Sequence, residues 1–174
     1  MHMTTNDFLT TLISRRSIRA FTDRAIDRAD LEAIVAAGKC APSGRNRHSR
    51  RLTVITDPQK IAALAKVLGA ELDNNAYNFY RPAALILVSD TNANHLAIED
   101  CACALTQIFA AAHSLGIGSV WINQFKNLCD RPNVRAALDA VEMPADHCVW
   151  GCAALGYAAA PNTAPQGEDS VLWL

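Results

Sequence analysis

No apolar run in this 174-residue chain reaches the length of a membrane span. The first residues, Met1-His2-Met3-Thr4, lack the charged and apolar regions of a secretory signal, so a cytoplasmic protein is expected. No G-x-G-x-x-G follows the first expected strand, which gives no support to a Rossmann dinucleotide site. Net charge is scarce too, at −1, with half the residues apolar. That balance excludes a disordered chain and argues against a nucleic-acid-coating one. The six cysteines (Cys40, Cys101, Cys103, Cys129, Cys148 and Cys152) fit no zinc spacing, and no His or Cys pair completes a site. Without an export signal they read as reduced, buried thiols. His48, His95, His113 and His147 are scattered and read as surface or packed residues, not metal ligands or bases. The length suits one domain with a sizeable core, spanning 1–174, and no internal repeat is visible.

The charge that is present is unevenly spread. Residues 1–51 hold ten of the sixteen Lys/Arg against five of the seventeen acids, a local net of +5. The remainder carries −6, and such a basic third on a near-neutral protein suits a small anionic ligand. Its centre is Ser14-Arg15-Arg16-Ser17-Ile18-Arg19-Ala20-Phe21, where three guanidiniums and a hydroxyl follow a short amphipathic helix. Guanidiniums are planar forks of donors that stay charged, good chemistry for a phosphate. A second polar stretch, Ala41-Pro42-Ser43-Gly44-Arg45-Asn46-Arg47-His48, has no apolar period, and a polar loop of this length is expected to carry function or move.

Periodicity predicts helices over 4–13, 27–38, 57–68, 95–115 and 131–140, and strands over 51–56, 84–88, 120–122 and 149–157. Asn6 or Thr5 would cap the first helix and Asp27 the second, with Gly38 ending it. Residues 84–88 form a continuous apolar run, as in a central strand buried on both faces. The helix over 95–115 is apolar almost all round, which predicts packing on its own sheet and on a second subunit. The tail, 158–174, begins polar and ends Val171-Leu172-Trp173-Leu174, an apolar terminus expected to dock, for instance on a partner subunit.

The two polar stretches, with Gly116-Ile117-Gly118-Ser119-Val120-Trp121-Ile122 and Ala154-Leu155-Gly156-Tyr157, resemble the nitroreductase family in their order along nearly the whole chain. The resemblance implies an α+β fold: a mostly antiparallel central sheet wrapped by helices, working as an intertwined homodimer with FMN at the interface. It implies hydride transfer from NAD(P)H through flavin N5 to a nitroaromatic, quinone or similar small acceptor. It places Arg15, Arg16 and Ser17 on the FMN phosphate and ribityl end, and Arg19 at the ring's N1/O2 edge. It places Pro42, Ser43, Gly44 and Asn46 against the flavin of the other subunit. Ile122, Asn123 and Gln124 would offer backbone amides to N5 and O4. Counting back from 84–88 puts Asn74 near the pyrimidine edge, with Asn75 and Asn78 competing for that place. No catalytic acid or base is required and none is found. Core packing is the default for Trp121 and Phe125. Two departures stand out. Where many members have Gln-Pro-Trp after the loop, this chain has His48-Ser49-Arg50, and no cation follows Tyr157. Arg45 and Arg47 are the nearest substitutes for that cation. The departures leave room for a flavin-binding relative with another reaction, such as dehalogenation or flavin modification, or for a scaffold that has lost activity.

Overall fold

The computed structural model describes residues 6–160, 162–163, 167 and 169–174. The expected helix start at Thr4, the alternative cap Thr5 and the tail prolines Pro161 and Pro165 lie outside these residues. Five helices and four strands follow in the order α1 (Asp7–Ser14), α2 (Arg28–Lys39), β1 (Arg51–Ile55), α3 (Pro58–Glu71), β2 (Ala84–Thr91), α4 (Ala97–Ser114), β3 (Gly118–Ile122), α5 (Pro132–Asp139) and β4 (His147–Gly156). The strands form one antiparallel sheet in the order β1-β2-β4-β3.

Strand alternation explains why helices cover both faces. Leu85 and Leu87 of β2, with Cys152 and Ala154 of β4, point to one side and pack on α3 and α5. Ala84, Ile86 and Val88, with Ala153 and Leu155, point to the other and pack on α2 and α4. All of these residues are fully buried. The central strand expected at 84–88 is therefore buried on both faces, and it continues to Thr91. The extension is polar but paired: Ser89, Asp90 and Thr91 align with Val149, Cys148 and His147 across a bulge that sets Trp150 out of register.

Side-chain caps fix two helix starts and a glycine fixes one helix end. Asn6 closes the start of α1, its side chain accepting Leu9 N–H at 2.8 Å. Asp57 does the same for α3 through Gln59 N–H, with Pro58 in the first turn. Asp27 stands at the cap position of α2 but makes no side-chain capping bond. Gly116, at φ +72°, ends α4. Its N–H reaches His113 O at 3.0 Å and Ile117 N–H reaches Ala112 O at 2.8 Å, the paired bonds of a glycine C-cap. Gly69 does not stop α3 as the sequence suggests. The helix runs on to Glu71 because Gly69 is a packing site: a Cβ there would stand 2.7 Å from Asn74 O.

The thiols divide. Cys101, Cys129, Cys148 and Cys152 are buried, whereas Cys40 and Cys103 are exposed, so the expectation of buried thiols fails for two. Cys40 ends α2 at the surface, and Cys103 lies on the outer side of α4. No helix of the described residues is long and apolar enough to cross a membrane.

Candidate functional site

The basic segment is an extended strap laid along the sheet's β3 edge. Ser17 bridges Ser119 in parallel, and Ile18 N–H donates to Ser119 O at 2.9 Å. Farther on, Phe21 bridges Ala158, and Thr22 N–H reaches Tyr157 O at 2.8 Å. Glycines make room for it: Ile18 lies over Gly118 and the Phe21 ring over Gly156. Asn162 fastens the strap from outside, its Nδ2 donating to Ser17 O at 2.8 Å.

Extended backbone sends alternate side chains to opposite faces, and this divides the arginines. Arg15 and Ser17 line a cleft of about 360 Å3 with Thr106, Phe109, Ser119 and Trp121. Trp121 is 38% exposed there, its ring 6.0 Å from Phe109. Arg16 turns the other way and donates to Ile13 O at 2.8 Å and Arg15 O at 2.9 Å, closing the carbonyl end of α1. It lines a neighbouring cleft of about 300 Å3 with Ser14, His113 and Asn162. Ser14 Oγ and His113 Nε2 share a 2.9 Å hydrogen bond. Burial first, then the charges of Arg15 and Arg16, push the His113 pKa below the usual histidine value. Arg19 is exposed, and alternation sets it on the Ser17 face.

The 42–48 loop is wound into a single turn over Gly44–Asn46. Ser43 Oγ accepts His48 N–H at 3.0 Å, and Asn46 Oδ1 pairs with His48 Nε2 at 2.7 Å. Gly44 N–H donates to Asp100 Oδ1 at 2.7 Å, and the glycine sits against Leu96, where a Cβ would collide. The loop therefore rests on the N-terminal end of α4, whereas the strap meets the opposite end at His113. Thirteen residues of helix separate the two points, about 20 Å along the axis. Within one chain, strap and loop do not come together.

Ile122, Asn123 and Gln124 close β3, the strand that carries the strap, about 10 Å beyond Ser119 at the usual strand rise. Ile122 is 2% exposed, with its side chain in the core, so only its backbone is on offer. Asn123 N–H is held by Gln124 Oε1 at 3.1 Å, so Gln124 must swing aside before that amide meets a ligand. Phe125, the next residue, is fully buried and stacks on Phe79 at 5.9 Å. Below this turn lie two thiols. Cys129 Sγ accepts Val149 N–H at 3.2 Å, and Cys148 faces Lys126 O at 3.6 Å. A hydrogen bond from Cys148 holds the Cys129 thiol below its usual pKa, and Cys148 is pushed correspondingly up.

Asn74 lies in the turn after α3, where its Oδ1 accepts Ala76 N–H at 3.1 Å. Asn75 and Asn78 line a separate cavity of about 650 Å3 with Lys66, Tyr77 and Arg81. That cavity is larger than the strap cleft and meets the far end of the strap at Thr22, but it holds none of Arg15, Arg16, Ser17 and Arg19 and none of the loop residues. The Phe79–Phe125 stack nonetheless lays this connector beside the end of β3. The strap cleft is the better candidate, because it joins Arg15 of the basic segment to the hydroxyls of Ser17, Thr106 and Ser119 and to the rings of Phe109 and Trp121.

Sequence reasoning missed Phe109, Ser119 and Thr106 as cleft walls, and its default of core packing holds for Phe125 but not for Trp121, which lines the strap cleft. The available signal was alternation on β3, which sets Trp121 opposite the buried Val120 and Ile122. It also missed Asp100, whose signal was an acid on the apolar side of a helix. Among the described residues, no group of three or more His, Cys, Asp or Glu is placed to hold a metal.

Comparison with known proteins adds four findings. The profile of the nitroreductase family matches residues 12–157. The crystal structure of a nitroreductase with bound FMN from Bacteroides fragilis is 37% identical, with a TM-score of 0.83, covering 97% of this chain and 96% of that one. A protein of Archaeoglobus fulgidus, named for NADH dehydrogenase and NAD(P)H nitroreductase activity, is 28% identical over 152 residues, 84% of this chain and 82% of that protein. The NADPH-linked FMN reductase of Bacillus subtilis is 24% identical over 143 residues, and this chain spans 57% of its length.

Proposed function

Because the chain belongs to the nitroreductase family, we propose that it is an FMN-dependent oxidoreductase working as a cytoplasmic homodimer. Bound FMN supplies the redox chemistry, taking a hydride from NAD(P)H and passing it to a nitroaromatic, quinone or similar small acceptor. The neighbours named for FMN and NAD(P)H support this reading.

The strap cleft fits such a cofactor. Arg15 and Ser17 offer a cation and a hydroxyl to a phosphate, and Trp121 and Phe109 offer an apolar wall to a flat ring. Arg19, on the Ser17 face, is the positive charge available to an electron-rich ring edge. The backbone at Asn123 and Gln124, just past the end of β3, would supply donors once the Gln124 side chain swings aside. Arg16 acts from behind, by fixing the end of α1 that presents Arg15. Asn74, caught in its own turn, supports the connector beside that strand and faces the ring's pyrimidine edge only after the turn relaxes.

One observation carries the dimer: strap and loop sit at opposite ends of α4. Two copies packed with their α4 helices antiparallel would bring the strap of one to the loop of the other. The outer side of α4 suits such contact, since Ile98, Ala102, Thr106 and Ala110 recur there every four residues without a charge. Pro42, Ser43, Gly44 and Asn46 would then close the partner's flavin site, with Arg45 and Arg47 offsetting the cation missing after Tyr157. The tail would dock on the partner as well. Val171 to Leu174 are 70–112% exposed in the single chain, and the outer edge of β1 presents Val54 at 39%.

The visible spectrum of freshly purified protein tests the cofactor. Flavin bands that bleach on adding NAD(P)H are expected, and colourless protein that takes up no added FMN would refute the proposal. Bound FMN without NAD(P)H oxidation would move the chain to a relative with another reaction. Mixed dimers test the shared site. An Arg15→Ala protomer paired with an Asn46→Ala protomer leaves one of two sites intact, so FMN binding should recover at that site. No recovery would exclude a site built from two subunits.

A further inference from the structure

Arg50 and Asp100 touch neither cleft, yet they govern the shape of the loop. Asp100 is 3% exposed in the first turn of α4. Its Oδ1 accepts Gly44 N–H at 2.7 Å, and its Oδ2 accepts from Asn94 Nδ2 at 3.0 Å. Asn94, itself buried, also donates to Asp90 Oδ2 at 2.8 Å, so one amide is held between two buried carboxylates. Arg50 gathers carbonyls: Pro42 O at 3.0 Å, Asp100 O at 2.7 Å, and Ala41 O. The bond that joins the loop to α4 and the bond that joins Arg50 to α4 both end on Asp100.

The loop does not hold its shape by local preference. Arg45, Asn46 and His48 take φ of 55°, 56° and 49°, a region that non-glycine residues seldom occupy. Three such residues within four positions persist only where the surroundings over-determine them. Here the surroundings are a buried carboxylate on one side and a three-carbonyl guanidinium on the other.

We infer that Arg50 and Asp100 are positioning residues for the cofactor, presetting the Pro42–Asn46 loop in the form in which Ser43, Gly44 and Asn46 meet the flavin. This rests on the FMN reading above. A ligand that finds its loop in the competent form only part of the time binds more weakly by that fraction. The clamp raises the fraction before any ligand arrives.

The test compares wild type with Arg50→Met, Asp100→Ala and Asp100→Asn as full-length protein. Three quantities are measured: Gly44 amide exchange without FMN, the FMN dissociation constant, and the visible circular dichroism of bound FMN. Arg50→Met and Asp100→Ala should speed Gly44 exchange and weaken FMN roughly tenfold to hundredfold, the scale of losing bonds to a charged group. Both should also change the dichroism of the flavin that remains bound. Asp100→Asn keeps an Oδ1 acceptor for Gly44 and should stay closer to wild type than Asp100→Ala. Should Arg50→Met fail to fold, Arg50→Lys, which keeps the charge but not the fork, carries the same comparison. Variants with wild-type affinity and dichroism would overturn the clamp alone. Wild-type protein that takes up no FMN would overturn both the clamp and the function it serves.

Discussion

His113 links the end of α1, where the strap begins, to α4 through a 2.9 Å hydrogen bond between its Nε2 and Ser14 Oγ. Burial, Arg15 and Arg16 all disfavour its protonated form. The unfolded chain therefore takes up this proton at a higher pH than the folded chain does. The stability held here is complete above the ordinary histidine value of 6.5 and is lost as pH falls below it. The thermal midpoint should drop between pH 7.5 and 5.5 by more in wild type than in His113→Asn. A bound phosphate that neutralises Arg15 should reduce the difference, so repeating the melts with FMN reads the strap's occupancy. The arginines separate in the same way. Arg15→Ala or Arg19→Ala should weaken FMN binding by about 1.5–3 kcal/mol, as for a charge-assisted hydrogen bond, measured by fluorescence titration. Arg16→Ala should instead cost about 0.5–1.5 kcal/mol of folding stability through the open end of α1. The order of the motif was legible in the sequence. The face each arginine takes was not, because alternation fixes faces only once the Ser17–Ser119 bridge sets the register.

At the scale of elements, the strap depends on two glycines that hold nothing but space. A Cβ on Gly118 would stand 2.9 Å from Ile18 Cγ1 and 3.0 Å from Gly156 O. The first neighbour belongs to the strap and the second to the backbone of β4, so neither gives way cheaply. Gly118→Ala should cost about 1–3 kcal/mol by overpacking, read from urea denaturation, and should loosen FMN by moving Ser17 off Ser119. Unchanged stability would mean that the strap is not seated as described. Periodicity found all five helices and four strands, since long apolar patterns have no other stable use. It misplaced ends where tertiary contact decides them. α3 passes through Gly69 because the chain returns over that residue at Asn74. β2 gains Ser89, Asp90 and Thr91 because β4 supplies partners and because His147 Nδ1 and Asn94 take up the buried polar groups. The Arg50–Asp100 clamp, joining residues fifty positions apart, has no local pattern at all.

For the molecule as a whole, the decisive quantity is the separation imposed by α4. A site split between the two ends of a helix works only if a second copy completes it, which a sequence can suggest by an apolar helix but not by its geometry. Cys103 reports on this directly. It is exposed in the single chain and lies beside the uncharged outer stripe of α4, whereas Cys40 is exposed at the end of α2. Thiol reactivity follows access to the sulfur as well as its ionisation. In the proposed dimer a thiol reagent should label Cys40 promptly and Cys103 slowly, with Cys101, Cys129, Cys148 and Cys152 reacting only after unfolding. Placing a charge in the stripe, as in Ala102→Arg, should separate the subunits, speed Cys103 to the rate of an open thiol and release FMN in the same step. Sedimentation and flavin absorbance of that variant follow the two losses together. Cys103 labelling as fast as Cys40 in the unmodified protein, at every concentration, would leave α4 uncovered and strap and loop apart.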